Sequence, residues 1–234
     1  MNRTVTQEET TELFKVCENY GVFFYDVQIE IVDHLASIIE EQWKKNPELE
    51  FKQAQKNAIS SFGKNNFTKM VRTKEKEVNR KYNLLLWKYL LEFYKWPKIL
   101  LTFVLTLGVF IVFQTTSQTK SILLIYSGII LVLFTIYLFF IFPKIKISGK
   151  TGKMFLLASR QSQSMYLIII LLQLPNLIHS LFNWIKIESV ENKMLLAALS
   201  FFLVGASILL YANMFFLPKK IKQHFTEQFP EFVK

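Results

Sequence analysis

Glu30, Asp33 and His34 stand at i, i+3 and i+4, a spacing that puts their side chains on neighbouring positions of one helix face. Two carboxylates and an imidazole so placed suit either a borderline divalent metal or a hydrogen-bonded surface cluster whose histidine could sense pH. Metal sites draw ligands from more than one segment and no further ligand is signposted, so the cluster reading is preferred and neither a metal nor a cofactor is expected. A second set, Gln173, Asn176, His179, Ser180 and Asn183, recurs every three or four residues inside an apolar run and makes a polar stripe down one helix. It could line a cavity for a small molecule or lipid headgroup. Alternatively it could hydrogen-bond to Thr102, Thr106, Ser200, Ser207 or Asn213 of other apolar runs, as interhelical glue worth ~1 kcal/mol per bond. The only cysteine, Cys17, excludes an internal disulfide and a cysteine zinc set. GxGxxG, P-loop, GxSxG and HExxH patterns are all absent from the sequence, so no catalytic residue is assigned and the chain reads as non-enzymatic.

The elements that must carry these residues are membrane elements. The 234 residues are 51% hydrophobic with 23 Phe against 7 Gly and 6 Pro, and no acidic residue occurs from Phe93 through Ile187, as suits a chain that crosses lipid repeatedly. Four runs, Ile99–Gln114, Ser121–Phe142, Ser164–Trp184 and Met194–Leu217, approach the ~20 residues that ~30 Å of hydrocarbon requires. Lys144, Lys146, Lys150, Lys153 and Arg160 lie in the middle connection, and Lys219, Lys220, Lys222 and Lys234 follow the last run. The other two connections hold Lys120 alone, and Lys186 and Lys193 beside Glu188 and Glu191. The positive-inside rule then places both termini in the cytoplasm. Trp87, Tyr89, Tyr94, Trp96 and Trp184 are the amphipathic types that mark headgroup level. The basic stretch Lys64 to Lys81 is broken by Glu75 and Glu77 and leads into apolar sequence, so it suits anionic lipid headgroups better than nucleic acid.

Before the first span the spacing predicts a helical headpiece. Thr6-Gln7-Glu8-Glu9 has capping-box form and opens a helix with Leu13, Phe14, Val16 and Cys17, ending at Gly21. Asp26 is expected to cap a second helix whose Val27, Ile29, Ile31, Val32, Leu35, Ala36, Ile38, Ile39 and Trp43 face the core, stopped by Asn46-Pro47. A third helix covers Phe51 to Phe62, closed by Gly63, and a fourth starts near Asn66. The whole is an all-α integral membrane protein: a cytoplasmic headpiece at 1–81, an interfacial amphipathic helix at 82–96, four transmembrane helices at 97–217 and a basic cytoplasmic tail at 218–234. Residues 1–62 carry 6 Lys/Arg against 11 Asp/Glu, and residues 97–234 carry 13 against 4. The acidic headpiece therefore suits a basic partner, with Glu30, Asp33, His34, Glu40, Glu41, Glu48 and Glu50 as candidate contacts.

The run Tyr25-Asp26-Val27-Gln28-Ile29-Glu30-Ile31-Val32-Asp33-His34-Leu35, then Asn46-Pro47-Glu48-Leu49-Glu50-Phe51 and Ala58-Ile59-Ser60-Ser61-Phe62-Gly63, resembles the small helical HAAS-type domain and the related permease-prefix domains. The resemblance covers about residues 10 to 80 and brings no catalytic residue. It implies a cytoplasmic interaction or signalling module preceding membrane spans, of the kind often encoded beside PadR-type regulators in Bacteroidota-type bacteria. The leading expectation is a regulatory or accessory inner-membrane protein that binds a cytoplasmic or membrane protein partner. A small transporter or lipid-handling subunit using the stripe of the third span, and a self-assembling structural membrane protein forming homo-oligomers, are the alternatives.

Overall fold

Thr6 accepts the backbone N–H of Glu9 at 3.3 Å while Glu9 accepts that of Thr6 at 2.8 Å, so the capping box read from the sequence forms. It opens α1 (Gln7–Asn19) in a computed structural model that describes residues 3–116, 119–147, 152–184 and 192–232. α2 (Tyr25–Lys45) and α3 (Phe51–Phe62) follow. Gly63 closes α3 at φ 83°, a left-handed conformation that glycine adopts without steric strain. Leu13, Cys17, Ile31, Leu35, Ile39 and Trp43 are buried together with Phe51, Ala54 and Phe67. Ile29, placed in the core stripe by sequence, is exposed because it lies roughly 200° round the helix from Val27, beyond the buried arc. Asp26 is not the N-cap of α2: that position is Phe24, with no side-chain bond, although Asp26 Oδ1 accepts Val27 N–H at 3.2 Å from within the first turn.

α4 (Lys64–Glu92) is one helix of 29 residues, where the sequence reading divides it near Tyr82. No glycine or proline occurs between Lys64 and Trp96, so nothing interrupts the backbone ladder before Pro97. The chain forms two compact units, one of Met1–Arg80, Gly149–Ser159 and Phe232–Lys234, the other of Lys81–Ser148 and Arg160–Glu231.

In the second unit α5 (Lys98–Thr115) is followed by α6 (Thr119–Ile136), a π turn at Tyr137–Ile141 and α7 (Phe142–Ile145). α8 (Leu156–Trp184) begins in the first unit. α9 (Lys193–Tyr211) runs through a second π turn, Ala212–Phe216, into α10 (Leu217–Gln228). Four helical stretches are long and apolar enough to cross a membrane, and among the described residues there is no strand, only an isolated bridge between Phe24 and Met154. The fold is that of an all-α, multi-pass membrane protein.

Two of the expected spans stop at Phe142 and Leu217, yet the helix continues past both. Each is followed by a proline that lacks a donor and clashes with the carbonyl four residues back. In both cases the preceding turn widens, with Phe142 N–H donating to Tyr137 O and Leu217 N–H to Ala212 O. Pro143 and Pro218 then fall in the first turn of a new α segment, where a missing N–H is tolerated. α9 packs most deeply: Leu203 meets Phe113 and Leu123, Val204 and Ile208 meet Leu86 and Leu90 of α4, and Leu210 meets Tyr137 and Ile168. α5, α6 and α8 turn Phe103, Val104, Ile125, Ile129 and Ile170 outward, a surface suited to hydrocarbon. Of the charges used to read orientation, Lys150, Lys186, Glu188, Glu191 and Lys234 lie outside the described residues.

Candidate functional site

Asp26 is where the first unit departs most from its local sequence logic. Its two carboxylate oxygens accept the backbone N–H of Leu156, at 3.1 and 3.0 Å. Leu156 is the first residue of α8, so Asp26 supplies from far along the chain what an N-cap residue supplies locally: an anionic acceptor for an orphan donor at the positive end of a helix. Beside it, Tyr25 N–H donates to Met154 O at 2.8 Å. The Tyr25 ring meets Phe14, Phe155 and Phe232 at 5.5, 5.7 and 5.5 Å, and Lys153 Nζ sits 3.4 Å from its centroid, a cation–π contact. Burial pushes the Asp26 carboxyl above its ordinary value, while the N–H groups of Leu156, Val27 and Leu157 pull it back. The segment from Lys153 to Leu156 is thus clasped by the start of α2.

The seven candidate contacts separate into two groups. Glu30 is paired with Lys74 at 2.9 Å, which raises the Lys74 pKa through the hydrogen bond and the charge of Glu30. Glu40 accepts Val5 N–H at 3.1 Å, tying down the N-terminal arm. These two are engaged within the fold, whereas Asp33, His34, Glu41, Glu48 and Glu50 are exposed. Glu30, Asp33 and His34 stay close in sequence, but among the described residues no three His, Cys, Asp or Glu side chains are grouped to hold a metal. Cys17 is fully buried, which pushes its thiol up to about 12 and leaves no thiolate for chemistry near neutrality.

The polar stripe runs down α8 as its spacing predicts, but it faces outward. Gln173, Asn176, Ser180 and Asn183 are exposed and His179 is half-buried. Their bonds are to one another: Asn176 Nδ2 donates to Gln173 Oε1, and Asn183 Nδ2 meets His179 Nδ1, each at 3.4 Å. The residues expected to receive them are otherwise engaged. Thr102 donates to Phe93 O, Thr106 to Thr102 O, Ser200 to Leu196 O and Asn213 to Leu209 O, while Ser207 meets Tyr126 Oη at 2.6 Å. Among the described residues no hydrogen bond joins the stripe to another helix. Trp87, Tyr94, Trp96 and Trp184 are exposed, whereas Tyr89 stacks on Phe216 at 3.7 Å and works as a packing residue.

Sequence reading passed over a buried polar layer in the second unit. Gln161, 1% exposed, accepts Ile147 N–H at 2.8 Å and donates to Ile145 O at 2.9 Å and Pro218 O at 3.2 Å, so it joins the segments that follow the two π turns. Tyr82 bonds His224 at 2.9 Å, and burial pushes its phenol up to about 12. Arg160 Nη2 donates to Asn83 Oδ1 at 2.7 Å. The available signal was the Pro-Lys pair repeated after Phe142 and after Leu217, which marks two helix interruptions whose backbone groups need partners. Compared with known proteins, the chain matches no family model, no curated protein and no solved structure.

Proposed function

We propose that this chain is a non-enzymatic regulatory or accessory protein of the bacterial inner membrane, with both termini cytoplasmic. The N-terminal unit, similar to HAAS-type domains, offers Asp33, His34, Glu41, Glu48 and Glu50 to a basic protein partner. The observation that carries the reading is the Asp26 clasp on Leu156. A module that holds the first turn of a membrane-spanning helix can bias that helix, provided partner binding favours one state of the clasp over the other. The test is site-specific photocrosslinking from the exposed positions 37 and 44 in cell lysate, comparing the full chain with a Glu41→Gln/Glu48→Gln/Glu50→Gln variant. A captured protein that disappears in the variant, and whose capture weakens with salt, supports the reading. Capture that is indifferent to both counts against it.

A second reading, self-assembly or docking on another membrane subunit, is favoured by the outward stripe of α8. Amide and imidazole groups facing hydrocarbon gain ~0.6 to 2 kcal/mol each when they meet partners across a helix interface. Because Cys17 is buried, an Asn176→Cys chain can be oxidised in membranes: a disulfide-linked dimer supports self-assembly, and its absence favours a different subunit or none.

A further inference from the structure

α4, α8 and α9 enclose a groove of about 770 Å³ in the second unit, within the range of small-molecule and cofactor sites. Its walls include Leu86, Leu90, Ile170, Leu171 and Phe201, and small residues of α9, Ala198, Gly205 and Ala206, leave the floor open. A Cβ added to Gly205 would meet the Tyr94 hydroxyl at 3.6 Å, an ordinary contact, so the glycine keeps space free without being required by its backbone.

One end of this groove is polar. Tyr82 meets His224, Tyr89 meets Phe216 and, just past the end of α4, Tyr94 meets Phe201, so the end of α4 runs antiparallel to α9 and α10. Asn83 and Asn213, both lining the groove, therefore lie toward the same end. Asn213 is fully buried, and its Oδ1 has no partner among the described residues. Arg160 is 5% exposed and is held by its 2.7 Å bond to Asn83. No carboxylate among the described residues pairs with it, and its Nε has no partner. A buried cation without a counter-charge and a buried acceptor without a donor are both costly; Asn213 lines the groove itself, and Arg160 stands behind Asn83, which lines it.

We propose that this groove is a lipid site that takes one acyl chain of an anionic glycerophospholipid with a hydroxylated headgroup. The phosphate accepts from Arg160 and a headgroup hydroxyl donates to Asn213 Oδ1. The ligand differs in kind from a protein partner, and the site stands apart from both functional readings above. A choline headgroup offers no hydroxyl donor and carries its own cation, so it satisfies neither group fully.

Native mass spectrometry of the full chain in detergent, titrated with phosphatidylglycerol or phosphatidylcholine, tests this. The expected result is a one-to-one phosphatidylglycerol adduct formed at about tenfold lower lipid concentration than the phosphatidylcholine adduct. Gly205→Leu fills the floor and abolishes it. Asn213→Leu retains a lipid but narrows the preference between headgroups. Equal adducts in the wild-type chain, or an undiminished phosphatidylglycerol adduct in Gly205→Leu, overturns the proposal. Should Gly205→Leu fail to fold, Trp87, which lines the groove, serves as reporter in a chain whose Trp43, Trp96 and Trp184 are phenylalanine. Quenching by brominated phosphatidylglycerol that saturates near one equivalent supports the site. Quenching that only tracks lipid mole fraction, as boundary lipid gives, refutes it.

Discussion

Replacing Asp26 with alanine removes the acceptor that holds the first turn of α8. A hydrogen bond to a charged acceptor contributes about 1.5 to 3 kcal/mol, and truncating a helix cap costs about 0.5 to 2 kcal/mol. Here the carboxylate is partly buried, and its own desolvation offsets part of that gain. A net loss of about 1 to 2 kcal/mol follows, which raises the local opening equilibrium about 5- to 30-fold. Hydrogen–deuterium exchange on the full chain in nanodiscs reads it directly: amides at the start of α8 exchange faster in Asp26→Ala, while those of Ile31 to Ile39 in α2 change little. Asp26→Asn keeps one acceptor oxygen and loses only a few tenths of a kcal/mol, since Asn and Asp cap almost equally well. The two also differ in pH dependence. Because burial raises the folded carboxyl above its ordinary 3.8, the folded chain holds this proton more tightly than the unfolded chain does. The stability owed to Asp26 is therefore greatest below the ordinary value and declines as pH rises toward the folded one. The stability advantage of wild type over Asp26→Asn should shrink across that window and stay flat above it. Unchanged exchange at Leu156 in Asp26→Ala would refute the clasp, and an advantage that grows with pH would refute the burial argument.

Other perturbations test other parts of the fold. Gln161→Ala leaves Ile147 N–H and two carbonyls of the second unit without their partner, a loss of about 1 to 3 kcal/mol per stranded group that relaxation and water reduce. A fall of several degrees in the detergent melting midpoint is expected, with Gln161→Leu no better than Ala. Cys17 should react with a maleimide only on denaturation, at a rate set by opening, because it is buried and its thiol is pushed up to about 12; rapid labelling of the folded chain at neutral pH would show α1 to be mispacked. Gly63→Ala, at φ 83°, should lower stability by about 1 to 2 kcal/mol. Its Cβ meets only Asn66 Nδ2, at 3.7 Å, so no packing term adds to the backbone term. Glu30→Gln breaks an ion pair whose side chains are each about one-third exposed and should shift stability by under about 1 kcal/mol, less in high salt.

What was legible in the sequence was what is decided within one or two helical turns. The Thr6 and Glu9 capping box, the stop at Gly63 and the four apolar runs all follow from residues close in the chain, and all are present. Asp26 shows where such reasoning stops. Local rules assign an aspartate just before an apolar periodic run to the helix that follows, and so gave it α2, but an N-terminal N–H is satisfied by whichever acceptor tertiary packing brings to it. Here that donor belongs to Leu156, 130 residues away. The α8 stripe fails in a complementary way. Spacing fixes that Gln173, Asn176 and His179 share a face, yet it carries no information about which direction the face looks. In water an outward polar face would need no explanation; in a span of this length and composition, outward is where lipid lies. Cavity lining and interhelical glue both look inward, so the outward stripe changes the question, from what the same chain offers these side chains to which second molecule does.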